Sequence, residues 1–230
     1  MLKLDKCTIA NGDFLLNADF EIETGARVAV IGPSGAGKST LLETIAGFRD
    51  LKAGQIYWNG KDLTTLPPGK RPLAMLFQDG NLFPHLTAAQ NIALGLRPNG
   101  RLSTDEMEMV RSALQRVDLL DMGARKPAEL SGGQQSRVAL ARILVQRREV
   151  LLLDEPFAAL GPALKAEMLD LVADLVAETK TTLLMVSHDP QDALRITRQT
   201  VLVADQIAQA PVATAQLFEN PPPSLRDYLG

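Results

Sequence analysis

Nine consecutive residues constrain this chain more than any others: Gly32, Pro33, Ser34, Gly35, Ala36, Gly37, Lys38, Ser39 and Thr40. They stand between a short β-branched run, 27–31, that suits a buried strand and a run, 41–46, that reads as a helix. The glycines let the backbone bend so that successive N–H groups point inward at phosphate oxygens. The helix that follows adds the positive end of its dipole. Lys38 is placed to reach the β and γ phosphates of a nucleotide as a point charge, and Ser39 to offer its hydroxyl to Mg²⁺.

The rest of the chain fits an α/β layout. Strand character appears in 2–8 and 14–22 around the Asn11-Gly12-Asp13 turn signal, and again in 54–60, 73–77, 150–153 and 182–186. Ser103 followed by Glu106 predicts a helix start inside a block, 87–148, that is mostly helical, and 163–180 reads as an amphipathic helix. Strands alternating with helices imply a mostly parallel, helix-covered sheet. The block looks inserted between strands of that sheet, and the first strands form an antiparallel portion. The 230 residues leave room for one large domain with such an insert.

Hydrophobic residues at 46% and charged residues at 22% exclude disordered and collagen-like readings. A net charge of −3 argues against a chain that coats nucleic acid, so no nucleic-acid partner is expected. The single cysteine, Cys7, forbids an internal disulfide and fits a reducing cytosol. The opening carries an acid, Asp5, where a signal peptide needs an apolar stretch, and no run approaches the length of a membrane span. Work at a membrane would proceed from the water side through a partner. Pro221 to Pro223 reads as a short rigid terminus with no room behind it for another domain.

Two further segments carry chemistry. The apolar run from Val150 ends in Asp154 and Glu155. Asp154 is the expected second Mg²⁺ contact, since Mg²⁺ keeps much of its water, and Glu155 is placed to polarise an attacking water. Ser131, Gly132, Gly133 and Gln134 then open another helix with bare backbone amides, a second anion cradle. One γ phosphate does not need two cradles in one chain. The economical solution is that this one covers the nucleotide held by another copy; the plainer alternative is that Ser131 is a helix cap.

Leu130 to Gln134, together with Gln78, Asp154, Glu155 and His188 in this order, resembles the ATP-binding subunit of an ATP-binding-cassette transporter over essentially the whole chain. The resemblance implies a P-loop NTPase (RecA-like) core sheet, about 1–86 and 149–230, with a helical subdomain, about 87–148, in one cassette domain. It implies a homodimer in which each ATP lies between one phosphate loop and the partner's Ser131 segment, closing to drive an integral membrane permease. On the same ground Gln78 senses Mg²⁺ and the attacking water, and His188 contacts the γ phosphate. The catalytic set is then Glu155, His188, Gln78 and Lys38, with Ser39, Gln78 and Asp154 toward the metal. His85, in the segment 81–87, is expected in a surface loop that meets the membrane partner.

Residues 75–87 resemble importer cassettes fed by a periplasmic solute-binding protein. Residues 75–78, 89–92, 95–96 and 183–188 are most similar to cassettes of thiamine importers, a likeness the short length fits; iron(III), sulfate, molybdate and polyamine stay open as cargo. The implied location is the cytoplasmic face of the bacterial inner membrane, peripherally bound. A soluble cassette acting on DNA or ribosomes would show a basic face or tandem cassettes, and a sensing module without turnover would lose Glu155, Gln78 and His188. Two positions depart from the family. Asn11 stands where an aromatic side chain usually stacks on adenine, so weak base discrimination is expected unless Phe14 substitutes; strong preference for ATP over GTP in a competition assay would refute it. Gly161 stands where the loop after Glu155 usually ends in an aspartate that links the two ATP sites.

Overall fold

Period-two alternation governs the first strands, and continuous apolar runs govern the central ones. The computed structural model describes residues 1–12, 14–78, 80–97 and 101–229, the side chains of 11 and 227–229 excepted. Strand β1 (Leu2–Asn11) pairs antiparallel with β2 (Phe14–Ile22), Leu2 opposite Ile22 and Thr8 opposite Asn17. Buried and exposed residues alternate along most of β2, as expected of a sheet with one wet face. The next strand, β3 (Arg27–Ile31), has four buried residues in a row and runs through the phosphate loop into α1 (Lys38–Ala46).

β4 (Ala53–Trp58) returns to pair with β1, and β5 (Lys61–Asp62) extends the antiparallel edge. Between these elements Arg71 is buried and donates to the carbonyls of Thr44 and Ile45 at 2.9 and 2.7 Å. Those are among the last carbonyls of α1, of which Thr44 also accepts the Gly47 amide, and a cation there answers the helix dipole. The helix behind the phosphate loop is thereby fixed at its far end. Cys7 lies buried in β1, where burial pushes its thiol up to about 11.

The central sheet is parallel. β6 (Leu73–Leu76), β7 (Val150–Asp154), β8 (Thr182–Val186) and β3 stand side by side, with Leu76 opposite Leu153, Asp154 opposite Val186 and Val186 opposite Val30. β9 (Gln199–Ala204) adds to the other side of β3, also parallel. The short β10 (Ile207–Ala208) joins β9 to β2, so the two portions form one sheet, and β11 (Val212–Ala213) pairs with β9. The sequence reading contained no strand at 199–204.

The block after β6 contains α2 (Ala88–Ala93), α3 (Thr104–Arg116) and α4 (Gly132–Leu144). Each opens with a reciprocal capping box: Thr87 with Gln90, Ser103 with Glu106, Ser131 with Gln134. Their apolar faces share a cluster including Ile92, Val110, Leu114, Val117 and Val138. Helix α5 (Pro162–Thr179) lays Met168, Leu169, Val172 and Val176 against the sheet. α6 (Pro190–Ile196), α7 (Thr214–Glu219) and α8 (Pro223–Leu229) follow. Residues 221–223 therefore lead into a helix instead of a stiff tail. Pro223 is tolerated at a helix start, where no N–H is needed, and Leu225 is fully buried in the cluster with Ile31 and Leu202. Among the described residues, no helix is long and apolar enough to cross a membrane.

Candidate functional site

Parallel pairing brings the carboxyl ends of β3, β6, β7 and β8 to one edge, where open α/β sheets collect ligands. β3 delivers the loop 32–37. Gly32 passes so close to β9 that a Cβ would stand 1.9 Å from the Val203 carbonyl oxygen. Gly37 has φ 99° and caps α1, and a Cβ there would meet the Phe14 ring at 2.7 Å. Both positions are open to glycine alone. Ser34 and Gly35 lie exposed on the turn, Pro33 and Ala36 half-buried, and Ser39 and Thr40 open α1. Phe14 packs beneath the loop; the side chain of Asn11 and residue Asp13 lie outside the described residues, so the adenine expectation stands as made.

Lys38 is only 8% exposed, and its ammonium donates to the carbonyls of Gly32 and Pro33 at 2.7 and 2.9 Å. Burial lowers its pKa, while the carboxylates of Glu155 and Asp154 pull it back up. A cation drawn across a loop whose first-turn amides have no side-chain cap makes a site for polyanions. Ser39 donates its hydroxyl to Asp154 at 2.9 Å. Burial raises the Asp154 carboxyl, the Ser39 hydroxyl opposes this, and Glu155 and Glu43 add repulsion. A hydroxyl and a carboxylate side by side, strained by like charge, are the hard oxygen donors that Mg²⁺ takes alongside phosphate.

Glu155 leaves β7 with φ 45°, an unusual conformation for a side chain of its kind. Its carboxylate lies 3.3 Å from Nδ1 of His188, which follows β8. Strain at such a position marks sites where geometry is held for a purpose. Gln78 stands exposed two residues beyond β6 at the same edge. The structure thus collects Lys38, Ser39, Asp154, Glu155 and His188 at the mouth of the phosphate loop.

Ser131 to Gln134 stand apart from it: no hydrogen bond among the described residues joins them to that group. The Ser131 hydroxyl accepts from the Gln134 amide at 3.3 Å, and the Gln134 side chain accepts from the Ser131 amide at 2.9 Å. Ser131 and Gly132 are exposed. The helix-cap alternative is realised, and the exposed cradle remains available to another molecule. Gly161 caps α5 without a side chain and faces open space. His85 is exposed and meets Phe83 edge to face at 6.0 Å.

Several supporting residues escaped the sequence reading. Asn91 is fully buried and exchanges hydrogen bonds with the backbone of Phe83, Leu86 and Thr87, which fixes the loop holding His85. Arg142 of α4 donates to the carbonyls of Gly80 and Asn81, both at 2.7 Å. Lys165 reaches from α5 to Asp189 and Asp192 beside His188. Only Asp189, just before Pro190, carries a local signal, that of a helix cap.

A family model described as "ABC transporter" matches residues 15–158, a span that includes the phosphate loop, the Ser131 cradle and the acidic strand end. Curated relatives include the thiamine import ATP-binding protein ThiQ of Ruegeria sp. (strain TM1040), 61% identical over the whole of both chains. The protein of that name from Cereibacter sphaeroides is 57% identical over the whole of both. That from Jannaschia sp. is 50% identical over 94% of this chain and 95% of the other. Among solved structures, the dimeric post-hydrolysis state of an ATP-binding cassette bound to ADP and Pi superposes with a TM-score of 0.80 at 28% identity, covering 93% of this chain and 99% of that one. The α/β P-loop NTPase fold expected from the sequence is borne out. Loop, acids and chain-long likeness agree: this chain belongs to the ABC transporter family.

Proposed function

We propose that this chain is the ATP-hydrolysing subunit of a bacterial thiamine importer. The observation that carries the proposal is 61% identity over all 230 residues with a thiamine import ATP-binding protein. The buried Lys38 and the Ser39–Asp154 contact support ATP and Mg²⁺ as what the loop holds. Mg²⁺ when bound neutralises charge that develops on the phosphate oxygens. Lys38 and the amides of 32–40 bind and orient the phosphates, with Ser39, Asp154 and Gln78 toward the metal. Glu155 accepts a proton from the attacking water, and His188, within hydrogen-bonding reach of that carboxylate, orients it. Most of the barrier lowering comes from fixed charges and donors, as phosphoryl transfer requires.

The chain works as a homodimer, each Ser131–Gln134 cradle covering the γ phosphate held by its twin. The dimeric cassette of known structure supports this arrangement, as does the exposure of Ser131. We assign 1–86 and 149–230 to the core and 87–148 to a helical subdomain, supported by the separate apolar cluster of α2, α3 and α4. The exposed Phe83 and His85 are offered to an integral membrane permease, with a periplasmic solute-binding protein delivering cargo on the far side. The subunit then sits peripherally on the cytoplasmic face of the inner membrane.

Reconstitution with a thiamine permease in membranes tests the proposal. Thiamine-loaded binding protein is expected to stimulate ATP hydrolysis, and Glu155→Gln to slow it by roughly 10²–10⁴-fold while ATP binding persists. Stimulation by iron(III), sulfate, molybdate or polyamine and not by thiamine would replace the cargo.

A further inference from the structure

The turn after β8 is held from behind by a charge cluster that no reading of the motifs requires. Lys165 belongs to the first turns of α5, the helix that follows the loop leaving Glu155. Its side chain is 16% exposed, and the ammonium bridges Asp189 at 3.0 Å and Asp192 at 2.8 Å. Asp192 is buried and accepts the Ser187 hydroxyl. The Asp189 amide donates to that hydroxyl oxygen at 3.0 Å, and the Asp189 carboxylate caps α6 through the Gln191 amide at 2.9 Å. The residues on both sides of His188 are thus tied into the Lys165 network. Burial alone would lower the Lys165 pKa, but Asp192 and Asp189 outweigh it and raise it, so the ammonium stays charged.

Docking α6 onto α5 does not explain the cluster. Arg195 already joins the two helices through a bidentate pair with Asp170, at 2.7 and 2.6 Å, and Ala193 and Ile196 are buried. What Lys165 adds is a brace between the element after Glu155 and the turn after β8, the two partners of the 3.3 Å contact. We propose that Lys165 is a positioning residue for ATP hydrolysis, holding 187–192 so that His188 meets Glu155. This rests on the roles given above to Glu155 and His188.

The test is a double-mutant cycle on ATP hydrolysis by the full chain at saturating ATP, with nucleotide affinity measured in parallel. Lys165→Met is expected to lower kcat by about 10²-fold, the cost of misplacing a reacting group by an ångström, with ATP affinity unchanged. Lys165→Arg should restore most of the rate. In a His188→Ala background, Lys165→Met should have no further effect, because it acts through that ring. Should Lys165→Met leave Asp192 buried and uncompensated and the chain fail to fold, Lys165→Met with Asp192→Asn removes both charges and is read the same way. An equal loss of kcat with and without His188, no loss at all, or a loss confined to ATP affinity overturns the proposal. Unchanged kcat in His188→Ala alone instead overturns the role of His188, and this inference with it.

Discussion

At the start of α1 the cap is Gly37, no side chain among the described residues accepts from the first-turn amides, and no acid stands in that turn. At the start of α4, Ser131 and Gln134 complete a reciprocal box and satisfy two of the same kind of donor within the chain. Both are glycine-bearing turns into a helix, and both suit an anion. The first keeps its donors for a ligand and adds the buried Lys38; the second has spent part of its capacity on itself. A helix start is normally a place where unpaired N–H groups are settled locally. Leaving one unsettled costs stability, and in folded proteins such costs are tolerated where function uses them. The contrast also explains the division of labour proposed here. On that proposal the α1 cradle binds nucleotide without help, and the α4 cradle exchanges its internal bonds for phosphate when a twin presents one.

The largest expected effect falls on the open cradle. Lys38→Ala should weaken ATP binding by about 10²-fold, the usual cost of losing one partner of a buried, hydrogen-bonded charge pair, measured by titration of the isolated chain. Ser131→Ala should leave that affinity alone and instead lower stability by about 1 kcal/mol, the usual loss of a cap, read by thermal unfolding. Equal losses of ATP affinity in both variants would erase the contrast.

A third helix start, that of α6, sharpens it with pH. Burial would raise the Asp189 carboxyl, but Lys165 and the Gln191 amide prevail and hold it below its ordinary value of 3.8. The stability it contributes is present above that value and is lost as pH falls through the depressed one. Thermal unfolding between pH 5 and about 2 should therefore fall more steeply in the native chain than in Asp189→Asn. The smallest effect belongs to the fourth start. Gly161 caps α5 with no side chain, and nothing lies within 4 Å of where a Cβ would stand. Gly161→Asp should fit without strain and add a few tenths of a kcal/mol as a cap, in the same unfolding assay. Unchanged ATPase rate and cooperativity in that variant would show that the missing carboxylate is not what tunes the two sites.

The residues proposed to hold phosphate and metal were legible because their spacing is local. Gly32 to Thr40 lie between one strand and one helix, and Asp154 and Glu155 end an apolar run, so periodicity alone locates them. The Ser103–Glu106 start of α3 was legible for the same reason. β9 was not, although Thr200 to Ala204 is as apolar as β8. It leads into the Asp205-Gln206 turn, which completes no recognised motif, and its place beside β3 is a pairing between residues some 170 positions apart, as Val28 opposite Gln199 shows. Arg142 and Lys165 were missed because each acts on a distant backbone or carboxylate, a relation that no spacing along the chain encodes; Asn91 was missed although its partners lie nearby in the chain, because a polar residue in a helical stretch gives no sign that it is buried and turned back on the preceding loop. The tail was misread because three prolines suggest stiffness, whereas one of them starts a helix anchored by Leu225.

Cys7 has a practical consequence. Its sulfur is sealed inside β1 and its thiol lies far above physiological pH, so it offers almost no thiolate to a reagent. Because the chain has no other cysteine, a thiol engineered at exposed Ser34 or Ser131 would be the sole target for a maleimide dye or a bifunctional cross-linker. Fluorescent reporters can therefore be attached to the native background without first stripping it of sulfur.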